Sequence, residues 1–113
     1  MKKKYVCVVC GFPEIAENYL IDGNITSTYE ICPSCGFQYG YSNFPPHMGL
    51  VKETKQSELI TYCRKLWIQG GMQWGWSFKH EKAFDSDKAP LNWNPLEQLK
   101  NVPKEFLDDG EKY

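Results

Sequence analysis

The chain has 113 residues, which is room for one compact domain and excludes a multidomain enzyme. Leu, Ile, Val and Phe supply 25 residues and aromatics reach 15%, so the chain is no disordered tail; its core leans on large rings, and a domain this short gains from a metal or a partner. Thirteen basic residues against fourteen acidic ones give a net charge of −1, which supplies no basic field for a phosphate backbone, and no stretch near ~20 apolar residues offers a membrane span.

Lys2-Lys3-Lys4 precedes an apolar stretch from Tyr5 to Phe12 that imitates a signal peptide. That stretch is eight residues long, holds two cysteines and meets Pro13 and Glu14 at once, so the expectation is a cytoplasmic protein. Val6-Cys7-Val8-Val9-Cys10-Gly11-Phe12 then returns as Ile31-Cys32-Pro33-Ser34-Cys35-Gly36-Phe37 at an offset of 25. Each copy reads as a tight turn that aims two sulfurs at one point, with a glycine to take backbone angles that other residues resist. Between the copies, Tyr19-Leu20-Ile21 and Ile25-Thr26 flank Asp22-Gly23-Asn24 and predict a hairpin. Phe37, Tyr39 and Tyr41 alternate with Gln38 and Gly40, as on a half-buried strand.

Residues 43–49 carry two prolines and a glycine and read as a linker within a single domain 1–113, between a ribbon part (1–42) and a helical part (50–113). Leu59, Ile60, Cys63, Leu66 and Trp67 fall on one helical face, with Thr54 or Ser57 to cap the start and Gly70-Gly71 to end it. Beyond it, Met72, Trp74 and Trp76 alternate with Gln73 and Gly75 and predict an extended segment with its apolar side chains on one side. Residues 85–88 form a polar loop. Asn94-Pro95-Leu96-Glu97 is a helix start, and that helix is expected to run to about Asn101, before Pro103 opens a last short turn through Leu107.

The chemistry lies in the cysteines. Cys7, Cys10, Cys32 and Cys35 are spaced Cys-x-x-Cys, 21 residues, Cys-x-x-Cys, one beyond the ~15–20 usual for zinc sites, and the excess fits a surface hairpin. Two disulfides are the alternative, and a reducing compartment disfavours them. A site of four cysteines has no position open to water, so the expected metal is structural Zn2+; iron on the same ligands would make a redox centre. With the metal the net charge falls to about −3.

Cys63 sits on an apolar helix face and reads as a small buried hydrophobe. His47 and His80 stand in no catalytic pattern, and Ser42, Ser77 and Ser86 in no nucleophile elbow, so no enzyme is expected. Trp67 reads as core. Trp74 and Trp76 read either as core cover or as a partner-binding surface, with Trp76 the more exposed of the two.

The first 42 residues resemble a rubredoxin-type zinc ribbon through Tyr5-x-Cys7-x-x-Cys10-Gly11-Phe12 and Ile31-Cys32-Pro33-x-Cys35-Gly36, although the segment between the turns is shorter than in rubredoxin. A fuller resemblance is to small bacterial cysteine-rich proteins of the CPCC-like group, carried by Tyr29 to Phe37, Lys65 to Trp74 and Asn92 to Asn101. That group usually has Cys where this chain has Ser34, so the extra cysteine is no essential ligand here. The resemblance implies an association with immunity to polymorphic toxins. The expected fold is α+β, a rubredoxin-like ribbon of β-hairpins packed on C-terminal helices. The expected function is a non-catalytic, zinc-stabilised protein-interaction module of immunity type, with a rubredoxin-like iron electron carrier as the alternative. Its expected partner is another protein or a second copy of the chain, with no membrane or nucleic-acid partner.

Overall fold

A computed structural model describes residues 3–22, 24–75, 89 and 91–113, and these form an α+β domain. The elements run β1 (Leu20–Ile21), β2 (Asn24–Ile25), a 3₁₀ turn (Pro45–Met48), α1 (Gln56–Gln69), α2 (Pro95–Leu99) and a second 3₁₀ turn (Lys104–Phe106). Its radius of gyration, 13.2 Å, is what a closely packed chain of this length gives, about 13 Å.

The internal repeat is structural. In the first copy Gly11 N–H donates to Cys7 O and Cys7 N–H to Phe12 O, each at 2.8 Å. In the second, Gly36 N–H donates to Cys32 O at 2.8 Å and Cys32 N–H to Phe37 O at 3.0 Å. Both closing glycines take positive φ, 85° for Gly11 and 77° for Gly36, where a side chain would be strained. The expected hairpin lies between them as a minimal antiparallel pair, Leu20 opposite Ile25 and Ile21 opposite Asn24. Asp22 adopts φ 52° to turn the chain, and Gly23 lies outside the described residues. Glu30 ties the repeats together, its two carboxylate oxygens accepting from Ala16 N–H and Glu17 N–H at 2.9 Å each.

The strand expected over Phe37 to Tyr41 is reduced to one bridge, Ile31 to Gln38. The alternation itself holds at Phe37 and Tyr39, both fully buried. Pairing stops because the chain turns at once: Ser42 N–H reaches Gln38 O at 2.8 Å and Gly40 N–H reaches Asn43 Oδ1 at 2.6 Å.

Helix α1 buries Leu59, Ile60, Cys63 and Trp67 as its periodicity requires, while Leu66 is only half-buried. Neither expected cap serves. Lys55 occupies the N-cap position without a side-chain hydrogen bond, and Thr54 Oγ1 donates instead to Val51 O at 2.7 Å. The helix ends at the glycines, but over the described residues 70–75 the chain is not extended. Met72 takes φ 54° and its N–H returns to Trp67 O at 2.9 Å, while Trp67 Nε1 donates to Gln73 O at 3.0 Å. The chain thus wraps over the helix terminus, and Met72 and Trp74 both pack on the core. Trp76, His80, Ser77 and the loop 85–88 lie outside the described residues.

Helix α2 starts as its sequence dictates, with Pro95 in the first turn and Asn94 Oδ1 accepting from Glu97 N–H at 3.2 Å. It stops at Leu99 rather than near Asn101, and single turns then carry the chain to Pro103. The four knuckle cysteines, the aromatic pair Tyr19 and Tyr39, the buried face of α1, and Leu99, Val102 and Phe106 form one core. Among the described residues no helix is long and apolar enough to cross a membrane.

Candidate metal centre

The two knuckles face each other across the core. Cys7, Cys10, Cys32 and Cys35 are fully buried, and their four sulfurs lie within 4.8 Å of one another. Between knuckles, Cys7 Sγ lies 3.8 Å from Cys35 Sγ and Cys10 Sγ 3.6 Å from Cys32 Sγ. A disulfide would bring a pair to ~2.05 Å. A metal bound tetrahedrally at ~2.3 Å by four sulfurs would set them ~3.8 Å apart, so the spacing suits one shared ion. Donor set and distances fit a metal ion.

The electrostatics of Cys7 differ from those of Cys32 and Cys35. Burial raises the Cys7 thiol, but hydrogen bonds with Cys10, Cys32, Cys35 and Tyr39 outweigh it and hold Cys7 well below the ordinary thiol range. Burial keeps Cys32 and Cys35 well above that range. Cys63 is pushed up to about 12, chiefly by burial, and stands as a neutral thiol on α1 outside the cluster.

Three neighbours hold the knuckles in place. Arg64, fully buried on α1, donates to Val9 O at 2.7 Å through Nε and to Val8 O at 2.6 Å through Nη2, so it fixes the two residues between Cys7 and Cys10. The same guanidinium reaches Phe106 O and Glu111 Oε1, each at 2.8 Å. Gln98 on α2 donates to Cys10 O at 3.2 Å and to Ser34 Oγ at 2.9 Å, touching both knuckles, and its own oxygen accepts from Trp93 Nε1 at 2.7 Å. Ser34 is fully buried and its hydroxyl serves this bridge. Tyr39 donates its hydroxyl to Cys7 Sγ at 2.8 Å.

Sequence reasoning gathered the four cysteines and missed these supports. A signal for Arg64 was present: it lies four residues after Ile60 and three before Trp67, inside the apolar stripe. Tyr39 stood in the alternation beside the second knuckle. Nothing local singles out Gln98.

The two tryptophans assigned to partner or cover are not together in view. Trp74 is half-buried, edge-on to Phe12 at 5.6 Å and to Trp93 at 5.3 Å, and Trp76 lies outside the described residues. Gly75 N–H beside it donates to Pro33 O at 2.9 Å, which pins this segment to the second knuckle. His47 is exposed, stacked on Tyr41 at 4.0 Å with Nδ1 donating to Tyr41 O at 2.8 Å.

No family model and no solved structure matches the chain. Two Bacillus subtilis (strain 168) proteins are similar to it, the uncharacterized proteins YoaQ, 32% identical over 75 residues, and YozI, 36% identical over 77 residues. The similarity spans 64% and 65% of this chain respectively, and 64% of the length of each relative.

Proposed function

We propose that the protein is a non-catalytic protein-interaction module stabilised by one structural zinc ion on Cys7, Cys10, Cys32 and Cys35. The observation that supports this most is closure: every sulfur is 0% exposed, so a bound ion would have no face for water or substrate. Structural zinc sites are closed in this way, whereas catalytic ones keep a coordination position open. Four unpaired thiols suit the reducing cytoplasm. A net charge of −1 leaves little attraction for nucleic acid, so the partner in this reading is a protein, met through the surface around Trp74 and Trp76. The resemblance to the CPCC-like group makes a toxin the leading kind of partner.

The test is elemental analysis of protein produced without added metal, which should find close to one equivalent, mostly zinc, in a colourless protein. A red protein carrying iron would replace this reading with the electron carrier. Under a fifth of an equivalent of both metals, with quantitative disulfides, would end it. Trp76→Ala should weaken partner binding or self-association while leaving folding stability within ~0.5 kcal/mol, as surface changes do.

A further inference from the structure

Tyr39 is fully buried, and its ring is fixed from two sides. It stacks on Tyr19 with centroids 3.9 Å apart and planes 24° from parallel, and it meets Phe37 edge-on at 4.9 Å. The Tyr19 hydroxyl donates to Val6 O, the carbonyl just before Cys7. Both hydroxyls of the stacked pair therefore land on the same short stretch of the first knuckle. The Tyr39 hydroxyl reaches the Cys7 sulfur itself, at 2.8 Å. A thiolate has no proton to give, so with metal bound the phenol is the donor. A buried donor on a sulfur takes up part of its negative charge, and the low local dielectric makes that bond stronger than it would be in water.

We propose that Tyr39 is a positioning residue for the metal centre, whose hydroxyl orients the Cys7 sulfur and sets the affinity of the four-cysteine site, with Tyr19 bracing its ring. This rests on the metal reading above. Hydrogen-bond partners of metal ligands typically contribute ~10–100-fold to affinity. The donor singles out Cys7 and leaves the centre electronically lopsided.

The experiment uses the full chain as wild type, Tyr39→Phe and Tyr19→Phe. Phe at 39 keeps the stacked ring and loses only the hydroxyl. In competition with a chromophoric zinc chelator, Tyr39→Phe should bind zinc ~10–100-fold more weakly, and Tyr19→Phe, which keeps the donor, should change less. In the cobalt-loaded proteins the thiolate-to-cobalt charge-transfer band should move to lower energy in Tyr39→Phe alone, because the sulfur lone pair loses its stabilising donor. A purely structural tyrosine would lower the melting temperature and leave that band in place. Affinity within about twofold of wild type together with an unmoved band would overturn the proposal. Should Tyr39→Phe fail to fold, cadmium-loaded wild-type protein decides. Scalar coupling between the metal nucleus and the Tyr39 hydroxyl proton would support the proposal, and its absence would overturn it. Wild-type protein that takes up none of these metals overturns the metal reading and this proposal with it, whereas metal-loaded wild type matched by Tyr39→Phe overturns this proposal alone.

Discussion

A guanidinium shut away from water needs an acceptor for nearly every N–H, and Arg64 finds three backbone carbonyls and one carboxylate. Removing it strands the carbonyls of Val8, Val9 and Phe106 in the core and leaves Glu111 without its counter-charge. Arg64→Met should therefore cost ~3–5 kcal/mol in denaturant unfolding of the metal-loaded protein. Glu111 adds a pH dependence. Burial raises its carboxyl, but Asp108 N–H, the Tyr113 hydroxyl and Arg64 together outweigh it and hold the group below its ordinary 4.5. A lowered folded-state value means that the stabilisation is complete above the ordinary carboxyl range and is lost as pH falls through the lower folded value. Wild type should be more stable than Glu111→Gln at neutral pH, and the gap should narrow only below about pH 4.5 in chemical denaturation series. Arg64 was legible as a helical residue and not as a buried one, because a charge in an apolar stripe reads as solvated until its partners, up to 56 residues away, are known.

Among the elements, α2 is five residues long and has little stability of its own; it holds its place by fitting the first knuckle. A Cβ on Gly11 would lie 2.0 Å from Gln98 O and 2.9 Å from Gln98 C, so the helix would have to move away from the knuckle. Gly49 has a similar positive φ, 77°, with nothing within 4 Å of such an atom. Gly11→Ala should therefore cost at least ~3 kcal/mol, against ~1–2 kcal/mol of backbone strain for Gly49→Ala, when thermal unfolding of the two is compared. Similar losses would mean that α2 does not dock as described. The start of α2 was readable to the residue because Asn94, Pro95 and Glu97 act within one turn. Its early stop was not readable because Asn101 answers to Gly11 O across 90 residues, and the wrap of Met72 back onto Trp67 was not because it needs a positive φ at a position that no glycine marks.

For the molecule as a whole, the four cysteines sit in the same core as Trp67 and Tyr39, so loss of a bound metal would be felt throughout. Structural zinc contributes ~10–16 kcal/mol in small peptides, which rivals the ~5–15 kcal/mol total stability of ordinary domains. Chelation should unfold at least the two knuckles and what packs on them, seen as loss of near-ultraviolet circular dichroism. Cys32→Ser should lower the melting temperature far more than Cys63→Ser, although both cysteines are fully buried; equal effects would reassign the odd cysteine. The cysteine pattern could be read in advance because each turn is closed by bonds within six residues. A partner surface has no comparable local signature.

The clamp on the first knuckle also has a history in time. Gln98 reaches Cys10 across 88 residues and Asn101 reaches Gly11 across 90. A ribosome adding ~5–20 residues per second completes both knuckles several seconds before it supplies either clamp. The first knuckle thus waits on a helix made well after it, and until α2 arrives Cys10 and Gly11 keep their carbonyls open to water. Nascent chains halted before Asn94 should accordingly lose metal to a chelator faster than chains released whole.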